Sequence, residues 1–297
     1  MKTINNYINM KHINTYISNK IRKTQNITEK LKISKSKSNQ SVTQHTLFPE
    51  TYEELKKMIA DEMLKNGNEC SLNHIDVSKI TTMEDLFNNH PKFNGDISEW
   101  DVSNVKIMSG MFKGSYFNRD LSRWDVSNVI SMKNMFSASE FNGDISDWNT
   151  SKVITMEGMF YWCKFDGDIY NWDVSNVVHM KAMFKDNKYF NQDLSNWDVS
   201  KVTDMTYMFA GSNFNNDSIC NWDVSNVENT RSMFYESEFN QPLKRWDVSN
   251  VKTMEEMFCR SKFNQDISDW KLHPDCNTND MFYNCSINKN FIPKCLQ

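Results

Sequence analysis

The chain has 297 residues and a formal net charge of −4, and it holds no run of 18 apolar residues, which excludes a membrane-spanning helix. The charge is divided: residues 1–46 carry nine Lys or Arg against one acid, Glu29, so they stand at +8 and the remainder, by difference, at −12. So acidic a body repels a phosphate backbone, which leaves the basic arm as the only candidate contact for nucleic acid.

Taken in chain order, residues 1–46 are rich in Asn, Lys, Ser and Ile without a sustained apolar period. They read as a disordered basic arm. A targeting peptide and an arm for an anionic partner are its functional alternatives, and Arg22 as the only Arg speaks against the first. The N-terminus shows no apolar core followed by a small-residue cleavage site, so no secretory signal is expected, and the expected location is intracellular or virion-associated. Seven cysteines without paired spacing fit free thiols better than a disulfide framework.

Residues 47–71 form the expected N-terminal cap. A helix is predicted from about Tyr52 to Lys65, with Thr51 as N-cap, Glu54 completing a capping box and Asn66-Gly67 as the exit. Leu55, Met58, Ile59 and Met63 share one face, which is expected to lie over the open end of the repeats that begin near residue 72.

Residues 72–285 are an array. The hexad Trp-Asp-Val-Ser-Asn-Val stands unchanged at Trp100, Trp124, Trp172, Trp222 and Trp246, with variants at Trp148 and Trp197 and degenerate copies at Ile75 and Trp270. The nine openings are 24 or 25 residues apart, a period that signals stacked repeats. In the copy at 93–115 the apolar positions are Phe93, Ile97, Trp100, Val102, Val105, Met108, Met111 and Phe112. The spacing Ile97, Trp100, Val102 predicts a short strand, and Val105, Met108, Met111 and Phe112 predict two turns of helix. Fifteen of nineteen Met and seventeen of nineteen Phe fall in four slots per repeat, and eight of nine Trp in one, which assigns them to the interior. The fold expected is an α/β repeat solenoid of right-handed, leucine-rich-repeat-like coils, each a short parallel strand plus a short helix. Residues 286–297, with Ile287, Phe291, Ile292 and Pro293, are the expected C-terminal cap.

These repeats, over residues 47–297, resemble the BspA-like leucine-rich-repeat surface proteins of the type found in mycoplasmas and giant viruses, with W-D-V-S-N-V-x-x-M-x-x-M-F units. The resemblance implies a solenoid that presents a binding surface, often as an adhesin-like protein.

Catalytic signals are missing from the pattern. None of the six His has a Cys, Asp or Glu at a metal-ligand spacing, and no phosphate-cradling or nucleophile motif occurs, so neither enzyme activity nor a cofactor is expected. Two ladders of Asp, one containing Asp101 and Asp125 and the other Asp96 and Asp120, read as Asx turns in preference to calcium sites. Recognition is expected in slots that vary from repeat to repeat, in particular the pair after Met-Phe. There Tyr161, Trp162 and Tyr235 are the candidate partner-binding residues. A competing reading has Trp162 covering the loop before Phe165. The expected function is non-catalytic protein binding or scaffolding by a monomeric solenoid. The alternatives are an adhesin-like surface protein, or a tether to nucleic acid or anionic membrane through the basic arm.

Overall fold

A computed structural model describes residues 44–297, nearly all of which form one compact unit, His45–Gln297. The expected basic arm, with its targeting and tether readings, lies outside the described residues except for positions 44–46.

The repeats stack, and their backbone amides supply the contact. One residue per repeat, from Thr82 through Ile107 and Ser131 to Asn277, makes a parallel bridge to its counterpart in the next repeat. Around that bridge alternate amides point along the stack: Met108 N–H donates to Ser131 O (3.0 Å), Gly110 to Lys133 (2.8 Å), Phe112 to Met135 (2.9 Å) and Gly114 to Ser137 (2.8 Å). Amides between them close overlapping turns inside the repeat, from Met111 to Met108 O, Lys113 to Gly110 O and Ser115 to Phe112 O. Gly110 and Gly114 take φ of 63° and 68°, which is the left-handed third residue that a type II turn requires.

This corrects the expected coil. Among the described residues the only α-helix is α1, Tyr52–Asn66, with three short 3₁₀ turns beside it, and pairing between repeats is limited to single bridges. Val105–Phe112 is therefore not a helix, and Ile97–Val102 is not a strand. A helix would spend its N–H groups on carbonyls four residues back, whereas here every second one is spent on the next repeat. The bridge falls at Ile107, inside the segment assigned to helix. The segment assigned to strand is bent by a turn in which Trp100 N–H donates to Ile97 O, and by Asp96 and Asp101, whose Oδ1 atoms accept from Ser98 and Ser103 N–H. The strand-plus-helix, leucine-rich-repeat-like coil is thus not the architecture.

The assigned interior side chains do point inward. The eight repeat tryptophans are 1–5% exposed. Each indole N–H donates to the repeat before it, Trp124 to Ile97 O at 3.1 Å and Trp172 to Ile145 O at 3.0 Å, so the slot demands a large ring that also carries a donor. Phe112 stacks at 4.2 Å on Phe117, which opens the following copy, and at 5.5 Å on its own counterpart Phe136, and both contacts recur along the unit. Two side-chain ladders bind the outside. Asn128 Nδ2 donates to Ser103 O at 2.8 Å, and Asn118 N–H donates to Asn94 Oδ1 at 3.0 Å.

The inserted residues are absorbed locally. Asn187 stands where other repeats carry Ser, is fully buried, donates to Phe165 O and accepts from Tyr189 and Phe190 N–H, so its longer side chain reaches across the extra residue before Phe190. The extra residue after Phe214 is taken up by the 3₁₀ turn Asp217–Asn221.

At the N-terminal end, Leu47 bridges Ile75, and α1 buries Leu55 and Ile59. Thr51 accepts from Glu54 N–H, while Glu54 reaches back to Glu50 N–H at 2.8 Å, one residue before the N-cap itself. The Tyr52 hydroxyl donates to Glu84 O of the first repeat. At the far end Phe282 stacks on Phe258 at 5.9 Å and Ile267 N–H donates to Phe291 O.

Candidate interaction ridge

The two residues after each Met-Phe pair lie on the last of the overlapping turns, where the second of them takes the left-handed conformation. Gly114 and Gly211 fill that position in two repeats, Ala138, Asp186, Glu236 and Arg260 in others, and Trp162, at φ 48°, in one. A bulky side chain at this φ costs on the order of 1–3 kcal/mol. Trp162 is also 68% exposed, the opposite of its eight counterparts. Phe165 itself is fully buried by other rings, stacking on Phe160 at 4.1 Å and Phe141 at 6.2 Å.

Tyr161, half-buried, sits beside Trp162 and faces the next repeat. Lys185 occupies the same slot as Tyr161 one repeat on, and its Nζ lies 5.5 Å from the Tyr161 ring centre and 4.8 Å from that of Tyr207 in the repeat beyond. Tyr207, also left-handed at φ 58°, does not stand out when the slots are compared one at a time. It comes to light through Lys185, which follows Tyr161 by 24 residues and precedes Tyr207 by 22, and so stands between the two rings. Tyr235 is not brought to this cluster. It shares the Tyr161 slot three repeats on, with Lys185 and Ala210 between, and lies beside an ion pair, Arg260 to Glu236 at 3.0 Å. Partial burial, and then the Glu236 carboxylate beside it, hold the Tyr235 phenol above its ordinary pKa.

The Asp ladders have their partners in the backbone. Asp125, Asp173, Asp198, Asp223 and Asp247 each accept from the Ser N–H two residues on, at 3.0–3.1 Å. For Asp125, Asp198 and Asp247 the Ser hydroxyl first and the Ser amide second hold the carboxyl below the usual carboxylate range. Among the described residues no three His, Cys, Asp or Glu converge as a metal ion would need, and no helix is long and apolar enough to cross a membrane.

The chain matches none of the curated proteins and none of the solved structures. A protein family described as "Mycoplasma protein of unknown function, DUF285" matches residues 53–164, 137–238 and 210–294, overlapping ranges that together take in the whole repeat array and most of α1. On that coverage the chain is a repeat protein belonging to the DUF285 family.

Proposed function

We propose that the chain is a non-catalytic protein-binding repeat protein, and that the ridge at Tyr161 and Trp162 is a contact surface. The observation that carries this is Trp162: a ring 68% exposed in a left-handed position that two other repeats fill with Gly. Strain held at an exposed aromatic is retained by selection more readily for recognition than for packing, since here the packing gain is small. The resemblance of the repeats to BspA-like surface proteins supports the same reading. Catalysis is not part of it, because the recurrent side chains are occupied in stacking and in inter-repeat hydrogen bonds.

The test is the double substitution Tyr161→Ser and Trp162→Ser in the full chain. Retained melting temperature with loss of the proteins cross-linked to wild type supports the ridge as a contact. A melting temperature several degrees lower with the same cross-links intact would assign the two rings to packing.

A further inference from the structure

Several charges on the outer slots of this array are answered one repeat away. Lys133 meets Glu157 at 3.0 Å, Lys164 meets Glu140 at 2.5 Å, Arg231 meets Glu255 at 3.3 Å and Lys252 meets Glu228 at 2.6 Å. The repeat after Trp162 brings three cations without such an answer next to exposed aromatic rings. Lys181, in the slot of Lys133 and Glu157, has a neighbour already committed to Lys133 on one side and the uncharged Thr206 on the other. Lys185 is held between two tyrosine rings, an attraction that fixes the ammonium without neutralising it. Lys188 donates to the carbonyl of Gly211, again with no opposite charge. None of the three forms an ion pair among the described residues. Against them the same stretch sets Asp186 and Asp204, and Asp204 Oδ1 is already occupied by Thr206 N–H at 2.9 Å and its hydroxyl at 2.5 Å.

We propose that this patch, Tyr161, Trp162, Lys181, Lys185, Lys188 and Tyr207, docks an acidic peptide segment that carries apolar side chains. It rests on the ridge being a protein contact and adds the chemistry of the partner. Carboxylates pair with the three unanswered ammoniums, while apolar side chains lie on the exposed Trp162 ring and the flanking tyrosines. Outside the basic arm the chain stands at −12, which disfavours the same peptide on most of the remaining body surface. A single-stranded nucleic acid also combines negative charge with stacking faces, but its uniform phosphate charge would run from this short patch onto acidic surface. A peptide can place its few carboxylates where the lysines are.

The probes are four fluorescein-labelled molecules titrated against the full chain by anisotropy at low salt. They are a peptide of four Glu-Leu-Gly units, the same peptide with Gln or with Lys for Glu, and a twelve-nucleotide oligo-dT. The expected result is binding of the Glu peptide at least ten-fold tighter than of the Gln and Lys peptides. That binding should weaken ten-fold or more between ~50 and ~200 mM salt, and again in the triple variant Lys181→Gln, Lys185→Gln, Lys188→Gln. The variant with Arg at all three positions should restore it, and all variants should melt like wild type. Equal binding of the Glu and Gln peptides overturns the acidic partner. If that binding is still lost in the Tyr161→Ser, Trp162→Ser variant, the ridge reading survives alone. Glu-peptide binding that depends on the lysines and ignores the two rings would instead sink the ridge reading and keep the acidic site. Binding of oligo-dT alone, or of none of the probes, overturns the proposal.

Discussion

Two tryptophans in one chain have opposite physical roles, and substitution separates them. Trp172 is 1% exposed and its indole N–H donates to Ile145 O. Trp172→Ala is expected to cost ~3–5 kcal/mol through lost transfer energy and the cavity left behind. Trp172→Phe keeps most of the volume and removes the donor, at about 1–3 kcal/mol. Trp162→Gly is expected to stabilise by about 1 kcal/mol, since strain relief of about 1–3 kcal/mol outweighs about 0.5–1 kcal/mol for a freer unfolded chain. Urea midpoints of the three variants check this, and destabilisation by Trp162→Gly would show that the exposed ring packs. The cysteines divide in the same way. Burial pushes the Cys163 thiol up to about 11, and its Sγ lies 3.4 Å from Ser139 Oγ in the slot that other repeats give to Ser. Cys295 is exposed. A disulfide reagent at pH 8 should therefore label Cys295 at once and Cys163 only on unfolding, as peptide mapping of a time course would show. The Cys-for-Ser exchange at position 163 was legible as a small interior slot. The exposure of Trp162 was open in the sequence, because a residue two places past Met-Phe can lie on either side of a turn.

The recurring element is a chain of short turns, each held by a polar side chain. Asp76, Asp125, Asp198, Asp247 and Asp266 all carry carboxyls held below the ordinary carboxylate range, first by the Ser hydroxyl two residues on and then by its amide. A carboxyl depressed in the folded state adds stability that is complete above its unfolded pKa, near ~3.9, and is lost as pH falls through the lower folded value. The melting temperature is thus expected to be level from pH 7 to about 5 and to fall below about 4, with these five turns contributing. Replacing Asp125, Asp198 and Asp247 together by Asn keeps the acceptor and removes the titration, so the acid limb of the curve should become shallower. An unchanged limb would mean that other carboxylates dominate acid unfolding. The Asp-x-Ser spacing made these turns readable in advance. α1 likewise followed from Thr51, its apolar face and Gly67, since those signals act within a few residues of each other.

For the whole molecule the unit of design is the period. Deleting residues 149–172 removes one repeat and joins Trp148 to Asp173, so each remaining amide finds a carbonyl in the same register. That variant should keep a cooperative thermal transition at a lower midpoint, whereas deletion of 149–160 should abolish the transition, because half a period sets Met and Phe slots against turn positions. Circular dichroism melts distinguish the two outcomes. The period, the inward set of Trp, Met and Phe, and the turn residues were all determined by the sequence alone. Burial follows from side-chain chemistry, and Asx turns close over two residues. What only the tertiary structure decided is where the backbone hydrogen bonds go. Val105, Met108, Met111 and Phe112 satisfy the spacing of a helical face, and the same spacing is met by overlapping turns in which Gly110 and Gly114 swing to positive φ. A helix would bond within itself; these turns send the amides of Met108, Gly110, Phe112 and Gly114 to carbonyls 23 residues later. Apolar periodicity reports which side of a segment is buried and is silent on that choice, because the partner carbonyls exist only once the next repeat is in place.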